Sequence, residues 1–206
     1  MMEDVDYGAI ADSIVPFLDH EALILDAGCG SGRLTLELLQ RGHHLIGIDN
    51  DPGMLALAEE RLRAKGFYAD LYDHDLRRPV PIKVDAILLM FDVLNHFKGI
   101  KGVLSNLDKA LVKGGLIIFD VYREDIPDLF DGYVEEDLSP VPYRWEIRRH
   151  NMTLRHVVRV GDTETTIVQT VRPLEEDLDV LSGMGYRTER FKGPDPRKHY
   201  IVATKT

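Results

Sequence analysis

Apolar positions along the chain fall into short runs separated by amphipathic stretches, and this alternation predicts a parallel α/β sheet. Leu23–Ala27 reads as a first strand, with a helix behind it over Leu34–Leu39. Leu45–Asp49 is a second strand, followed by a helix that starts near Pro52, runs through Leu55, Ala58 and Leu62, and stops at Gly66. Proline suits a first helical turn and glycine a helix end. Ala69–Tyr72 is a weak third strand. Val84–Phe91 is an apolar run suited to a strand covered on both faces. Val103, Leu107 and Leu111 mark the next helix, closed by Gly114-Gly115, and Leu116–Val121 is the fifth strand.

The period then changes. Between Arg123 and Val141 an acidic, proline-containing stretch, including Ser139-Pro140, reads as irregular or weakly helical. From Tyr143 to Val171 apolar residues alternate with polar ones. That pattern predicts three strands, Arg144–Arg149, Met152–Val160 and Thr163–Val171, turning at His150-Asn151 and Gly161-Asp162. Leu174–Leu181 is helical and stops at Gly183-Met184-Gly185. Tyr186–Phe191 and Tyr200–Thr204 are the last strands, joined by the loop Lys192–Lys198. Tyr7, Ile10, Ile14 and Phe17 trace an N-terminal helix. The expected architecture is a Rossmann-like seven-stranded α/β sheet with helices on both faces, plus an inserted antiparallel β meander.

The 206 residues suit a single domain, 1–206, with a small inserted subdomain at about 123–172. A net charge of −10 repels phosphate backbones and argues against nucleic acid as a partner. The lone cysteine, Cys29, cannot form an internal disulfide. Met1-Met2-Glu3-Asp4 opens on acids rather than a basic leader, and the longest apolar stretch, Ala86–Phe91, is too short for a bilayer. These features predict a cytoplasmic protein without membrane contact, a monomer or a homodimer. The scattered histidines show no zinc spacing, so no metal is expected.

The most informative stretch is Ile24-Leu25-Asp26-Ala27-Gly28-Cys29-Gly30-Ser31-Gly32. A strand that ends in alternating glycines lets its backbone approach a ligand where a Cβ would collide. The helix behind it then presents free N–H groups to that ligand. Dinucleotide enzymes use G-x-G-x-x-G; here the spacing is G-x-G-x-G with an acid just ahead. This resembles motif I of the class I S-adenosylmethionine-dependent methyltransferases, and the order of seven strands resembles their fold over residues 20–122 and 173–206.

The resemblance implies S-adenosylmethionine as cofactor. Asp49, ending the second strand, can accept two charge-assisted hydrogen bonds from a ribose diol. The other reading is a surface acid in a helix-capping cluster, Asp49-Asn50-Asp51-Pro52. By resemblance, Asp75 takes the adenine amino group and Leu76 supplies the neighbouring backbone N–H, with Asp73 as alternative. Asp26 faces the methionine end, and Met54 packs by the adenine or fills core. Gly28, Cys29, Gly30, Gly32, Asn50 and Phe91 complete the implied cofactor set. Cys29 between two glycines reads as a small residue demanded by sterics, not as a nucleophile.

The fourth strand runs into Phe91-Asp92-Val93-Leu94-Asn95-His96-Phe97. The Asn/Asp-Pro-Pro-Tyr/Phe motif of DNA amino methyltransferases is absent here, as is a Pro-Cys nucleophile. The segment resembles the Tyr-Asp-Ser-Leu-Asn-Tyr-Leu stretch of small bacterial and archaeal methyltransferases that also insert an antiparallel sheet after strand five. Methyl transfer needs alignment and exclusion of water, and a base only if the acceptor is protonated. His96 is the candidate base, because an imidazole titrates near neutrality. Asp92 and Asn95 are candidate contacts, and Asp120, Tyr122 and Tyr7 weaker ones.

Arg144, Arg148, Arg149, Arg155, His156 and Arg159 make the meander basic. It reads as a lid for an anionic acceptor, as a solvated face whose charges protect edge strands, or as a dimer interface. The expected function is methyl transfer to an O, N or S atom of a small-molecule acceptor. A non-catalytic S-adenosylmethionine-binding protein, an RNA or protein methyltransferase and a nicotinamide oxidoreductase stand as alternatives.

Overall fold

The structure, a computed structural model, describes residues 5–138 and 141–206. Its elements in chain order begin with α1 (Tyr7–Ile14), β1 (Leu23–Ala27), α2 (Arg33–Gln40), β2 (His44–Asp49), α3 (Pro52–Ala64) and β3 (Asp70–Asp73). Next come β4 (Val84–Leu89), a 3-10 turn (Val93–His96), α4 (Lys101–Ala110) and β5 (Leu111–Tyr122). Then follow α5 (Ile126–Phe130), β6 (Val134–Asp137), β7 (Tyr143–His150), β8 (Thr153–Val160) and β9 (Thr163–Thr170). The chain finishes with α6 (Leu174–Gly183), β10 (Tyr186–Phe191) and β11 (Lys198–Lys205).

Seven strands form one sheet in the order β10-β11-β5-β4-β1-β2-β3, and β11 runs antiparallel to both of its neighbours. The central strands show why the sheet is buried on both sides. Leu25, Ile87, Leu89, Ile117 and Phe119 share one face with Leu104, Leu107 and Leu181 of α4 and α6. Their sequence neighbours Ile24, Ala86, Leu88 and Ile118 share the other with Ile10, Ile14, Leu34 and Leu38 of α1 and α2. Period two along a strand, apolar at every step, therefore needs a helix layer on each face. Burying each of the Leu, Ile and Phe side chains contributes roughly 1.5–3 kcal/mol.

The strand order reverses between β1 and β4. At that point the carboxyl ends of neighbouring strands diverge and leave a crevice. The loops after β1, β2, β3 and β4 converge there, and all of them contribute to one cavity.

The remaining strands form a second, antiparallel sheet in the order β6-β7-β8-β9. Its inner face carries Ile147 and Leu154, which pack with Ile126 and Val171. Three expected boundaries need correction. The stretch after Arg123, expected to be irregular or weakly helical, holds the short helix α5 but also an unexpected fourth strand of the small sheet, β6, paired with β7 from Val134↔Glu146 to Asp137↔Tyr143; Ser139-Pro140 of that expectation lie outside the described residues, as does the Met1–Asp4 opening. Gly114-Gly115 do not end a helix: α4 stops at Ala110, and β5 passes through both glycines. Its register against β4 slips between Val84↔Leu111 and Ala86↔Leu116. The fourth strand ends at Leu89 rather than Phe91, because Phe91 and Asp92 turn into the left-handed region. Among the described residues, no helix is long and apolar enough to cross a membrane.

Candidate functional site

The cavity at the crevice has a volume of about 610 Å³. One side of it is the glycine loop. The backbone N–H groups of Gly28 and Cys29 both donate to the Ile48 carbonyl, at 2.7 and 3.0 Å, which ties the loop to the end of β2. Gly30 adopts φ +51°, and a Cβ there would meet no protein atom within 4 Å although the residue lines the cavity. Gly30 donates its N–H to Asp49 Oδ2 at 2.8 Å. The other Asp49 oxygen accepts from the Asp51 N–H at 3.0 Å.

Capping of α3 falls to Asp51, whose side chain accepts from Gly53 and Met54. Asp49 is therefore not consumed by that helix end. Each of its oxygens accepts one protein hydrogen bond and keeps a lone pair. Asp75 is held differently. Arg77 grips it with its backbone N–H and Nε, each at 2.9 Å, and with Nη2 at 2.7 Å. Those hydrogen bonds keep its carboxyl down at about 2.

Asp26 and Cys29 show what burial does in the same loop. Asp26 is buried, and desolvation raises its carboxyl to about 6, against a hydrogen bond from Thr35 Oγ1 at 2.6 Å. The nearby Asp49 charge adds to the rise. Burial, with Asp26 and Asp49 adding, pushes the Cys29 thiol far above its ordinary range. A thiol kept protonated is no nucleophile.

Of the residues expected around the cofactor, Asp26, Gly28, Cys29, Gly30, Asp49, Asn50, Met54, Asp75, Leu76 and Phe91 line the cavity. Gly32 does not. A Cβ on Gly32 would sit 2.8 Å from Ala58 Cβ, so this glycine lets α2 start against α3. Asp73 is likewise outside the wall.

Past β4 the cavity is walled by Val93, His96 and Phe97, and by Thr166, Ile167 and Val168 of β9. Tyr7 joins from α1, its ring 4.9 Å from that of Phe91, with the Arg33 guanidinium 5.4 Å over its face. The turn beneath this wall is strained. Phe91 and Asp92 have φ of 62° and 56°, a region that costs a non-glycine residue of order 1–3 kcal/mol. Asp120 at the end of β5 holds the strain in place by accepting both amides, Phe91 N–H at 2.9 Å and Asp92 N–H at a shorter distance.

Under the turn lies a buried charge cluster. Lys198 Nζ is 2.6 Å from Asp92 Oδ1 and 3.1 Å from Asp120 Oδ1. Burial raises the Asp120 carboxyl; Lys198 opposes this and Asp92 reinforces it. Burial alone would depress the Lys198 ammonium, but Asp120 and Asp92 more than offset it and the net movement is upward. Gln169 Nε2 donates to Asp92 Oδ2 and lies 3.5 Å from His96 Nε2.

The three expected catalytic residues lie in different places. His96 lines the cavity, but Asp92 and Asn95 do not. Asp92 is drawn inward by Lys198 and Gln169. Asn95 is buried and spends its side chain on structure: Nδ2 donates to the Thr170 carbonyl at 2.9 Å and Oδ1 accepts the Tyr122 N–H at 3.1 Å. It pins the turn to β5 and β9.

Residues that the sequence did not single out are Lys198, Gln169, Arg172 and the β9 wall. Arg172 is buried with Asp177, and its guanidinium also donates to the carbonyls of Phe97 at 2.6 Å and Leu94 at 3.1 Å. His156 carried a legible signal: it falls on the inward face of β8 between Leu154 and Val158, where alternation asks for an apolar residue. Several arginines of the meander pair with neighbours. Arg144 meets Glu136 and Glu146, Arg149 meets Asp128, and Arg159 meets Glu164 at 2.8 Å.

Comparison with known proteins follows the same outline. Residues 24–115 match the family described as "Methyltransferase domain". YqeM of Bacillus subtilis, a protein named as a methyltransferase, is 25% identical over 92% of this chain and 83% of its own length. Several other curated matches cover about half of this chain and less than half of the relative. Among solved structures, an S-adenosylmethionine-dependent methyltransferase of Clostridium acetobutylicum superimposes with TM-score 0.82, at 21% identity over 98% of this chain and 92% of that one. CalS10 of Micromonospora echinaspora, an amino pentose methyltransferase solved with S-adenosylmethionine bound, gives 0.77 at 24% identity over 98% and 93%.

Proposed function

We propose that this chain is a class I S-adenosylmethionine-dependent methyltransferase, a reading supported by its match to the methyltransferase domain family over residues 24–115, and that it methylates an O, N or S atom of a small-molecule acceptor. One observation carries the proposal. A single cavity of about 610 Å³ runs from the glycine loop, Asp49 and Asp75 to His96 and β9, with Thr166, Ile167 and Val168 of the inserted sheet on its far side. That volume falls among small-molecule pockets of roughly 300–1,000 Å³. A groove for a polymer would be open and basic, whereas the chain carries a net charge of −10.

The residues on the wall fit the cofactor. Gly30 leaves open space where any side chain would intrude, and Asp49 retains lone pairs suited to a ribose diol. Asp75, held ionised by Arg77, and Leu76 would receive the adenine edge, with Asn50 and Met54 beside it. Gly28, Cys29 and Asp26 would border the methionine moiety, with Tyr7 and Phe91 over it. When bound, the cofactor supplies a methyl carbon on a positive sulfur that leaves as a neutral thioether. The protein then has two tasks, to place the acceptor atom in line and to keep water out.

Val93, Phe97, Thr166, Ile167 and Val168 perform the second task, and His96 is the one titratable side chain on that wall. We assign it direct contact with the acceptor. The inserted sheet serves as a lid, and its β9 edge sets the shape of the acceptor space.

The test is incubation with label carried on the methyl group of S-adenosylmethionine, against separated metabolite, RNA and protein fractions. Label entering small molecules supports the proposal. Label entering only RNA or protein overturns it, as does saturable cofactor binding with no transfer to any fraction.

A further inference from the structure

His156 and Gln169 are buried on adjacent strands and share the inner face of the small sheet: His156 stands opposite Ile167, two residues from Gln169. Each has one polar atom without a partner, Nε2 of His156 and Oε1 of Gln169. A buried donor or acceptor left unmade is costly, so these two atoms need an explanation.

Hydrogen-bond roles supply it. The Trp145 indole nitrogen can only donate, and it faces His156 Nδ1 at 3.3 Å. His156 Nδ1 is therefore an acceptor, and the neutral ring carries its proton on Nε2. On Gln169, the NH₂ end must be the one that meets Asp92, because a carboxylate paired with Lys198 can only accept. The carbonyl end is then turned toward His156. Donor and acceptor are complementary diagonal neighbours, within reach of side chains this long. Burial moves the His156 imidazole down, while Asp92 and the Gln169 amide act against it. Asp92 thus orients the Gln169 amide, whose carbonyl faces His156, and its NH₂ also faces His96 Nε2 at 3.5 Å.

We propose that Gln169 is a positioning residue that holds His96 in the Nδ1–H tautomer, with Trp145 and His156 fixing the direction of its amide. An NH₂ group opposite Nε2 requires a lone pair there, so the neutral His96 ring carries its proton on Nδ1. No described residue engages that nitrogen. In the resting protein His96 is a hydrogen-bond donor to the acceptor molecule, which must present an oxygen or nitrogen lone pair to it. Without Gln169, Asp92 Oδ2, 4.0 Å from His96 Nε2, would draw an Nε2–H instead and reverse the tautomer. This inference rests on the acceptor contact assigned to His96 above, but its core is a statement about the free protein.

The experiment is long-range proton–nitrogen NMR on isotope-labelled histidine in the full chain, with the His96 signals assigned by their loss in His96→Asn. The wild type is expected to show His96 mainly as Nδ1–H. Gln169→Leu should move the ratio toward Nε2–H by roughly tenfold, the value of one hydrogen bond, and His156→Phe by less. A wild-type His96 that is mainly Nε2–H overturns the proposal, and so does an unchanged ratio in folded Gln169→Leu. If that variant does not fold, the wild-type tautomer and His156→Phe decide. A titration with S-adenosylmethionine on the same samples reads cofactor binding separately, so failure of the functional reading remains distinguishable.

Discussion

Lys198 places its ammonium nitrogen 2.6 Å from Asp92 Oδ1, although 106 residues separate the two in the chain. The same nitrogen reaches Asp120, whose carboxylate holds the left-handed turn at Phe91 and Asp92. One cation thus underwrites the backbone shape beside the cavity. Removing a single partner from a buried ion cluster typically costs 3–5 kcal/mol, because uncompensated charge is left behind.

Lys198→Met is accordingly expected to lose about 3–5 kcal/mol of stability in urea denaturation. The loss should shrink as falling pH protonates Asp120, whose carboxyl burial raises. A variant as stable as the wild type at neutral pH would show that the cluster is not load shared in this way.

Asp49→Ala is expected to weaken S-adenosylmethionine binding by roughly 10–100-fold in calorimetry, the worth of charge-assisted hydrogen bonds. Asp51→Ala removes the cap of α3 instead. It should cost about 1 kcal/mol of stability and leave binding within a few fold. Equal affinities for wild type and Asp49→Ala would refute the ribose assignment.

Asp26 gives a pH dependence with a definite sign. Its carboxyl is raised by burial to about 6 in the folded protein, against roughly 4 in an unfolded chain. Between those values the native state holds a proton that the unfolded state has lost, so stability falls as pH rises through that window. Above it the penalty is complete, at roughly 3 kcal/mol for two pH units. Asp26→Asn, which can still accept from Thr35, should be more stable than wild type at pH values above about 6. Its stability should also vary less over the window. Parallel denaturation curves across pH check both.

Cys29 is expected to resist thiol reagents in the native protein and to react once denaturant opens the loop, since burial keeps it protonated. Cys29→Ala should retain cofactor binding. Fast labelling of the folded protein, at the rate of a free thiol, would contradict this.

Much of the fold could be read from local pattern. The strands of the large sheet are runs of apolar residues, and their order follows from helices that alternate with them. Asp49 and Asp75 stand at strand ends, where topology alone puts them at the crevice. The errors have a common physical cause. Phe91 and Asp92 look like the continuation of an apolar strand, but Asp120, 29 and 28 residues away, captures their amides and bends them out. Asn95 looks like a polar residue aimed at substrate, yet its partners are the backbones of Thr170 and Tyr122. Lys198 looks like one more charged loop residue. Each misreading concerns a side chain whose role is set by a long-range partner, which periodicity does not carry. β6 was hidden for another reason: four polar-rich residues at the edge of a small sheet have little alternation to show.

The Lys198 cluster also bears on how the chain reaches its folded state. Every cofactor motif lies before Asp120, and that part of the sequence already contains both carboxylates once β5 is complete. Until the β10–β11 hairpin docks, those carboxylates have no cation between them. The stretch that reads most clearly as a nucleotide-binding unit therefore lacks the cation of its buried ion cluster until the hairpin arrives. A nascent chain on the ribosome should keep its cofactor crevice unfinished until nearly all of these residues have emerged, and S-adenosylmethionine would then act late, as a ligand that locks a hairpin already in place.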